Sequence, residues 1–128
     1  MFIDWNTVRI FVKPGSTDLR KQINGLAVLV SEGMGEDPLS GSLFLFTNKQ
    51  RRLLKVLYWD RNGFCLWQKR LEKDRYPWPR SAWPGMASTD RLKEEEPARE
   101  ITSDQIRMLL AGIDFWHAHE TLTFSSVL

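Results

Sequence analysis

Two runs of strand-forming residues, Leu53–Asp60 and residues 64–71, flank the tripeptide Arg61-Asn62-Gly63. Asn-Gly tolerates the positive φ that tight hairpin turns require, so an antiparallel pair is the strongest local constraint on the fold. Two registers are open. A two-residue turn would pair Arg61 with Phe64, whereas a three-residue turn with Gly63 left-handed would pair Asp60 with Phe64. We take the second. It predicts Lys55, Leu57, Trp59, Cys65, Trp67 and Lys69 on one face, and Leu54, Val56, Tyr58, Phe64, Leu66 and Gln68 on the other. One face is then aromatic and cationic, the other mostly apolar.

Other elements fall around this hairpin. Residues 8–13 (VRIFVK) read as a short strand stopped by Pro14-Gly15. Ser16, Thr17 and Asp18 offer N-cap side chains, and Leu19, Ile23, Leu26, Ala27 and Val30 recur at helical spacing toward Gly33 and Gly35. After a loop over residues 34–42, residues 42–47 form a further strand candidate, joined to the hairpin by residues 48–52. Three prolines in residues 76–84 exclude a central strand or a helix interior. Residues 80–100 read as a polar surface loop or linker within the domain. Thr102 and Gln105 form a capping-box pattern before Ile106, Leu109, Leu110 and Ile113, with Gly112 as the stop. The expected architecture is α+β: an antiparallel β-meander of three to four strands packed with two helices on one side.

At 128 residues the chain suits a single domain, residues 1–128, with a core that needs no staples. Its single cysteine, Cys65, precludes an internal disulfide and points to a reducing, cytoplasmic setting. No apolar run approaches the roughly 20 residues of a membrane span, and the N-terminus does not read as a signal peptide, so no membrane partner is expected.

Charge is unevenly placed. Residues 48–79 hold nine cations against three carboxylates, a net of +6, while the whole chain is +2. Residues 90–128 reverse the sign, with eight acids against four bases, net −4. Six large aromatics interleave the basic segment: Tyr58, Trp59, Phe64, Trp67, Tyr76 and Trp78. Cations among aromatics are the footprint of a nucleic-acid surface, although large aromatics taken singly are more often core. A second anion-binding signal is Pro14-Gly15-Ser16-Thr17 ahead of Arg20 and Lys21, cations in what would be the first turn of a helix.

Catalytic signals are weak. His117-Ala118-His119-Glu120 lacks a fourth zinc ligand and reads as a solvated tail. Cys65 lies in an apolar strand and reads as a structural thiol. Asp18, Asp37, Asp60, Asp74, Asp104 and Asp114 show no metal-binding spacing, and no phosphate loop, nucleophile elbow or Cys-x-x-Cys occurs. A non-enzyme without metal or cofactor is the expectation.

Over residues 8–115 the ordered residues resemble a known family. They include Asp18-Leu19-Arg20-Lys21, Gly25-Leu26, Asp37-Pro38, Leu43-Phe44-Leu45-Phe46 and the string LKVLYWDRNGFCLWQKRLE, followed by Trp78-Pro79 and Gly112-Ile113-Asp114. This is similar to the small accessory protein encoded by the second open reading frame of insertion-sequence-66-type bacterial transposable elements. Gln22 and Asn24 depart from the usual pattern, in which a small residue and Asp are common. In such elements a separate, larger transposase carries the strand-transfer chemistry. The resemblance implies a non-catalytic accessory in transposition, with element-end DNA, the transposase and other element-encoded proteins as partners, and a homo-oligomer as a further option. It carries over no catalytic residues.

Joining charge and context, the nucleic-acid-binding residues expected are Arg20, Lys21, Lys49, Arg51, Arg52, Lys55, Arg61, Lys69 and Arg70, with Trp59 and Trp67 as a stacking platform. The rival reading is a protein–protein adaptor that grips the transposase without touching DNA, since aromatics with Arg also mark interface hot spots. A cryptic nuclease is a weaker third reading, for which no carboxylate stands out.

Overall fold

The computed structural model describes residue 4, residues 6–80 and residues 97–116. Strand β1 (Ile10–Val12) leads to helix α1 (Ile23–Val28), which continues as a π-helical turn, Leu29–Gly33. Strands β2 (Leu43–Thr47), β3 (Leu53–Asp60) and β4 (Gly63–Arg70) follow, then β5 (Arg99–Ile101) and helix α2 (Ser103–Leu110). The five strands form one sheet in the order β4-β3-β2-β1-β5. The α+β class stands, but the sheet is mixed and has five strands. β1 and β2 run parallel, and every other neighbouring pair is antiparallel. A parallel pair cannot be joined by a tight turn, so the connection carries α1 across the sheet.

The two helices cover opposite faces, not one side as expected. Ile10, Val12, Leu43, Leu45, Leu54 and Val56 pack with Ile106 and Leu109 of α2. The alternate residues Phe11, Phe44, Phe46 and Leu57 pack with Leu26 of α1 and with Leu29 and Val30. The reason is legible in β1 and β2. Ile10-Phe11-Val12 and Leu43-Phe44-Leu45-Phe46 are apolar without alternation, and all seven residues are buried. A strand apolar on both sides needs cover on both sides.

β5 starts in the last two residues of the stretch whose chain pattern looked only polar and ends one residue beyond it. Ile101 pairs with Ile10 and is buried, while Arg99 and Glu100 are exposed. Arg9 binds Glu100 through Nη2 at 2.9 Å, and its guanidinium lies 4.9 Å from the Phe11 ring centroid. Residues 81–96, the bulk of the expected loop, lie outside the described residues, as do His117, His119 and Glu120.

The start of α1 also differs. Asp18 organises a single turn, accepting from the Arg20 N–H through Oδ1 and from the Lys21 N–H through its carbonyl. The helix begins only at Ile23, with Gln22 at the N-cap and no side-chain cap. Arg20 and Lys21 therefore precede the helix and do not occupy its first turn. At α2 the capping box is present: Thr102 Oγ1 accepts from the Gln105 N–H at 3.1 Å, and Gln105 Oε1 accepts from the Thr102 N–H at 2.9 Å. Gly112, at φ 80°, ends it, and the Ile113 N–H reaches back to the Met108 carbonyl at 2.9 Å.

The hairpin takes neither expected register. Asp60 pairs with Gly63 and Trp59 with Phe64, leaving Arg61-Asn62 as the turn. Arg61, not Gly63, adopts the left-handed conformation, at φ 53°. Relative to the expected pairing β4 slips by one residue, which turns each of its side chains to the other face. Phe64 and Leu66 now join Leu57 on the α1 side, whereas Trp67 joins Tyr58 and Val56 on the α2 side. Trp59 and Trp67 therefore point to opposite faces.

Residues 71–79 strap the α2 side of the sheet. Tyr76 and Trp78 are buried in that core; the Tyr76 hydroxyl donates to the Lys69 carbonyl and Trp78 Nε1 to the Lys13 carbonyl. The prolines fit this path, because the strap needs few ladder donors of its own.

Candidate nucleic-acid interface

The β2–β3 connection is built around Asn48. Its Oδ1 accepts from the N–H groups of Arg52 (3.1 Å) and Leu53 (3.2 Å), and its carbonyl accepts from the Arg51 N–H at 3.0 Å. Arg51 takes a left-handed φ of 58° to close the turn. Beneath it, Thr47 Oγ1 donates to the Leu53 carbonyl at 2.9 Å. Lys49, Gln50, Arg51 and Arg52 are exposed on this rigid turn.

The end of β4 adjoins the same turn. Arg70 pairs with Leu53 and Lys69 with Leu54, which places both residues at the end of β4 next to the turn. The strap then binds the turn directly. The Leu71 N–H donates to the Arg52 carbonyl at 2.8 Å, and the Tyr76 N–H donates to the Arg51 carbonyl at 2.7 Å. Lys73 and Arg75, both exposed, follow along it. Opposing them are Glu72, which binds Arg70 at 3.2 Å, and Asp74. Lys69 and Arg70 leave β4 on opposite faces, so these cations share one end of the sheet, around its edge, and not a single face.

The loop ahead of α1 completes the region. The Thr17 N–H donates to the Thr47 carbonyl at 2.8 Å, drawing residues 16–20 against the turn. Between them lies a cleft of about 650 Å³, lined by Ser16, Thr17, Arg20, Asn48, Lys49 and Gln50, with Asp18, Leu19 and Leu53 in its walls. Arg20 grips Asp18 through Nε and Nη2, the latter at 2.6 Å. Those hydrogen bonds hold the Asp18 carboxyl down at about 2. Thr17 is 8% exposed, and its Oγ1 is buried with no hydrogen-bond partner. Arg20 from one basic signal of the sequence and Lys49 from the other therefore line one cleft.

Three expected contact residues lie elsewhere, and a fourth is turned into the core. Lys55 is buried, with Nζ donating to the Leu19 carbonyl at 2.8 Å and the Lys21 carbonyl at 3.4 Å. It points inward from β3 on the α1 side, so it holds the cleft loop and does not present its charge to a phosphate. Arg61 sits at the far end of the hairpin, across an eight-residue strand, roughly 26 Å at about 3.3 Å per residue. Trp59 also lies at that end, edge-on to Phe64 with ring centroids 5.1 Å apart. Trp67 packs against the α2-side core. No stacking platform is assembled from the two tryptophans. Arg20, Lys21, Lys49, Arg51, Arg52, Lys69 and Arg70 remain at the basic end.

As a contact residue Thr17 stood out in the sequence only within the Pro14-Gly15-Ser16-Thr17 anion signal, and Asn48 and Gln50 only as part of the connection over residues 48–52. Their side chains carry no charge, and only the approach of two distant loops gives them a common site. Cys65 is half-buried, opposite Tyr58 on β3. Burial first, and then the Cys65 hydrogen bond, push the Tyr58 hydroxyl up to about 12. Among the described residues no group of three or more His, Cys, Asp and Glu is placed to hold a metal ion. No helix among them is long and apolar enough to cross a membrane.

Comparison with known proteins now fixes the class. Residues 8–120 match the IS66 Orf2-like protein family, and the chain belongs to it. Members are transposition-associated accessory proteins. Two relatives come from Sinorhizobium fredii (strain NBRC 101917 / NGR234). Uncharacterized protein y4hO is 37% identical over 114 residues, which span 89% of this chain and 88% of that protein. Uncharacterized protein y4jC is 29% identical over 108 residues, 84% of this chain and 81% of that one. No solved structure matches the chain.

Proposed function

We propose that this accessory protein serves transposition by binding DNA through the basic end of its sheet, without breaking or joining strands itself. The observation that carries the reading is the gathering of Lys49, Arg51, Arg52, Lys69 and Arg70 at one end of the sheet, braced by the Leu71–Arg52 and Tyr76–Arg51 backbone bonds. Cations on a stiff turn keep their spacing, so counterions are released without a large ordering cost on binding. Arg70 contributes less than its neighbours, because Glu72 already engages it. Fluorescence anisotropy of labelled duplex DNA across a salt series tests the reading. Binding at low salt that weakens steeply as salt rises supports it; absence of binding at low salt overturns it.

One observation favours an adaptor role in addition. β4 closes one side of the sheet order, and among the described residues no strand pairs with its outer edge. An eight-residue edge without proline can accept a strand from a protein partner. Pull-down of the transposase by a protein carrying Arg51→Glu and Arg52→Glu separates the two roles. Capture that persists after DNA binding is abolished supports the adaptor role, and capture that disappears together with DNA binding argues against it.

A further inference from the structure

We infer that the cleft between residues 16–20 and the β2–β3 turn receives the terminal phosphate of a DNA strand end. The inference rests on the DNA-binding reading and names the part of the ligand this recess takes.

Three observations support it. First, the cleft measures about 650 Å³, within the roughly 300–1,000 Å³ range of small-ligand sites and suited to a single nucleotide. A duplex lying along the basic end would rest its convex backbone on the exposed cations. A recess beside that surface is better reached by a group that protrudes, and a strand terminus protrudes.

Second, the lining suits a phosphomonoester. Arg20 and Lys49 supply positive charge from opposite walls, and Ser16, Thr17, Asn48 and Gln50 supply polar groups. Among the described residues Asp18 is the one carboxylate in the lining, and Arg20 already pairs with it through Nε and Nη2. A guanidinium has five N–H donors, so that pairing does not exhaust Arg20. Leu19 and Leu53 give an apolar wall for a sugar, and among the described residues no aromatic lines the cleft. Recognition here therefore depends on phosphate charge and not on base stacking, which makes it indifferent to sequence. A terminal phosphate carries more negative charge than a diester within a strand, and two facing cations favour it.

Third, Thr17 Oγ1 is buried without a partner. A buried hydroxyl with no hydrogen bond is costly, and because Thr17 lines the cleft, a side-chain rotation that brings Oγ1 to a phosphate oxygen there would remove that cost. Three neighbouring groups are already committed: the Thr17 N–H to Thr47, Asn48 Oδ1 to Arg52 and Leu53, and the Lys55 ammonium to Leu19. The Thr17 hydroxyl thus stands out within a satisfied frame.

The test compares short oligonucleotides of one sequence carrying either a 5′-phosphate or a 5′-hydroxyl, each with an unpaired 5′ overhang. Affinities are measured by anisotropy for the unmodified protein and for Thr17→Val, Thr17→Ser, Lys49→Gln and Arg107→Gln. The unmodified protein should bind the phosphorylated end about ten-fold more tightly, the gain expected of one charge-assisted contact. Thr17→Val and Lys49→Gln should bring the ratio toward one, Thr17→Ser should restore it, and Arg107→Gln on α2 should leave it unchanged. Lys49 is exposed, so its variant keeps the test decisive even if Thr17→Val misfolds.

Equal affinity for the two ends in the unmodified protein overturns this inference and leaves general DNA binding standing. A phosphate preference that survives both Thr17→Val and Lys49→Gln overturns the assignment to this cleft. Absence of binding to either oligonucleotide at low salt overturns both the inference and the reading beneath it.

Discussion

The Lys55 ammonium donates to the Leu19 carbonyl oxygen at 2.8 Å, joining the first half of β3 to the loop that forms one wall of the basic cleft. A buried ammonium is tolerated only when its donors are used, and the Lys21 carbonyl at 3.4 Å supplies a second acceptor. Lys55→Met keeps the stem and removes those donors. It should destabilise the protein by about 1–3 kcal/mol, the cost of leaving a buried carbonyl without its partner. Urea unfolding checks this. A lower midpoint at unchanged slope is expected, and an unchanged midpoint would mean the bond contributes nothing net.

Asn48 holds the β2–β3 turn through both of its Oδ1 hydrogen bonds. Asn48→Ala should cost about 1–2 kcal/mol of stability, comparable to removing a helix cap that serves the same kind of backbone donor. It should also weaken DNA binding although no charge is removed, because Arg51 and Arg52 would no longer hold their spacing. Chemical unfolding and anisotropy, measured on the same variant, report the two effects separately.

The hairpin register makes a sharp prediction about the tryptophans. A double-mutant cycle on Trp59→Ala and Phe64→Ala should give a coupling of roughly 0.5–1.5 kcal/mol, the usual worth of an edge-on aromatic pair. The corresponding cycle for Trp59 and Trp67 should give close to zero, since they lie on opposite faces. Strong coupling between the tryptophans would instead support the register that pairs Asp60 with Phe64.

Asp18 gives a pH dependence. Its hydrogen bonds from Arg20 lower the carboxyl from an ordinary 3.8 to about 2 in the folded protein. A depressed folded value means the contribution to stability is complete above the ordinary value and disappears as pH falls through about 2. Solvent screening keeps it small at this exposed site. An NMR titration of the Asp18 carboxyl should show the low midpoint, and Arg20→Gln should return it toward 3.8. A midpoint near 3.8 in the unmodified protein would contradict the pairing.

Much of this fold was legible in the sequence, and the parts that were not have physical causes. Periodicity and capping chemistry located β1 to β4 and α2, because Thr102, Gln105 and Gly112 act locally. The sheet order was not legible: β5 is three residues long, and its pairing with β1 depends on Ile101 meeting Ile10 across the fold. Asn62-Gly63 announced the hairpin but misplaced its turn by one residue, since core packing on both faces chose the register. Lys55 read as a surface cation because charge says nothing of burial. The cleft could not be read at all, because residues 16–20 and 48–53 meet only through the parallel crossover.

If the basic end is the DNA surface, Arg51 and Arg52 on the turn touch phosphates, whereas Arg61 at the far end of the hairpin does not. The salt dependence of DNA affinity measures this directly. Arg51→Gln and Arg52→Gln should each flatten the plot of log affinity against log salt by about 0.9 for every duplex phosphate that the side chain neutralises. Arg61→Gln should leave the slope unchanged. An unchanged slope in the Arg51 and Arg52 variants, or a flattening in Arg61→Gln as large as theirs, would contradict the account.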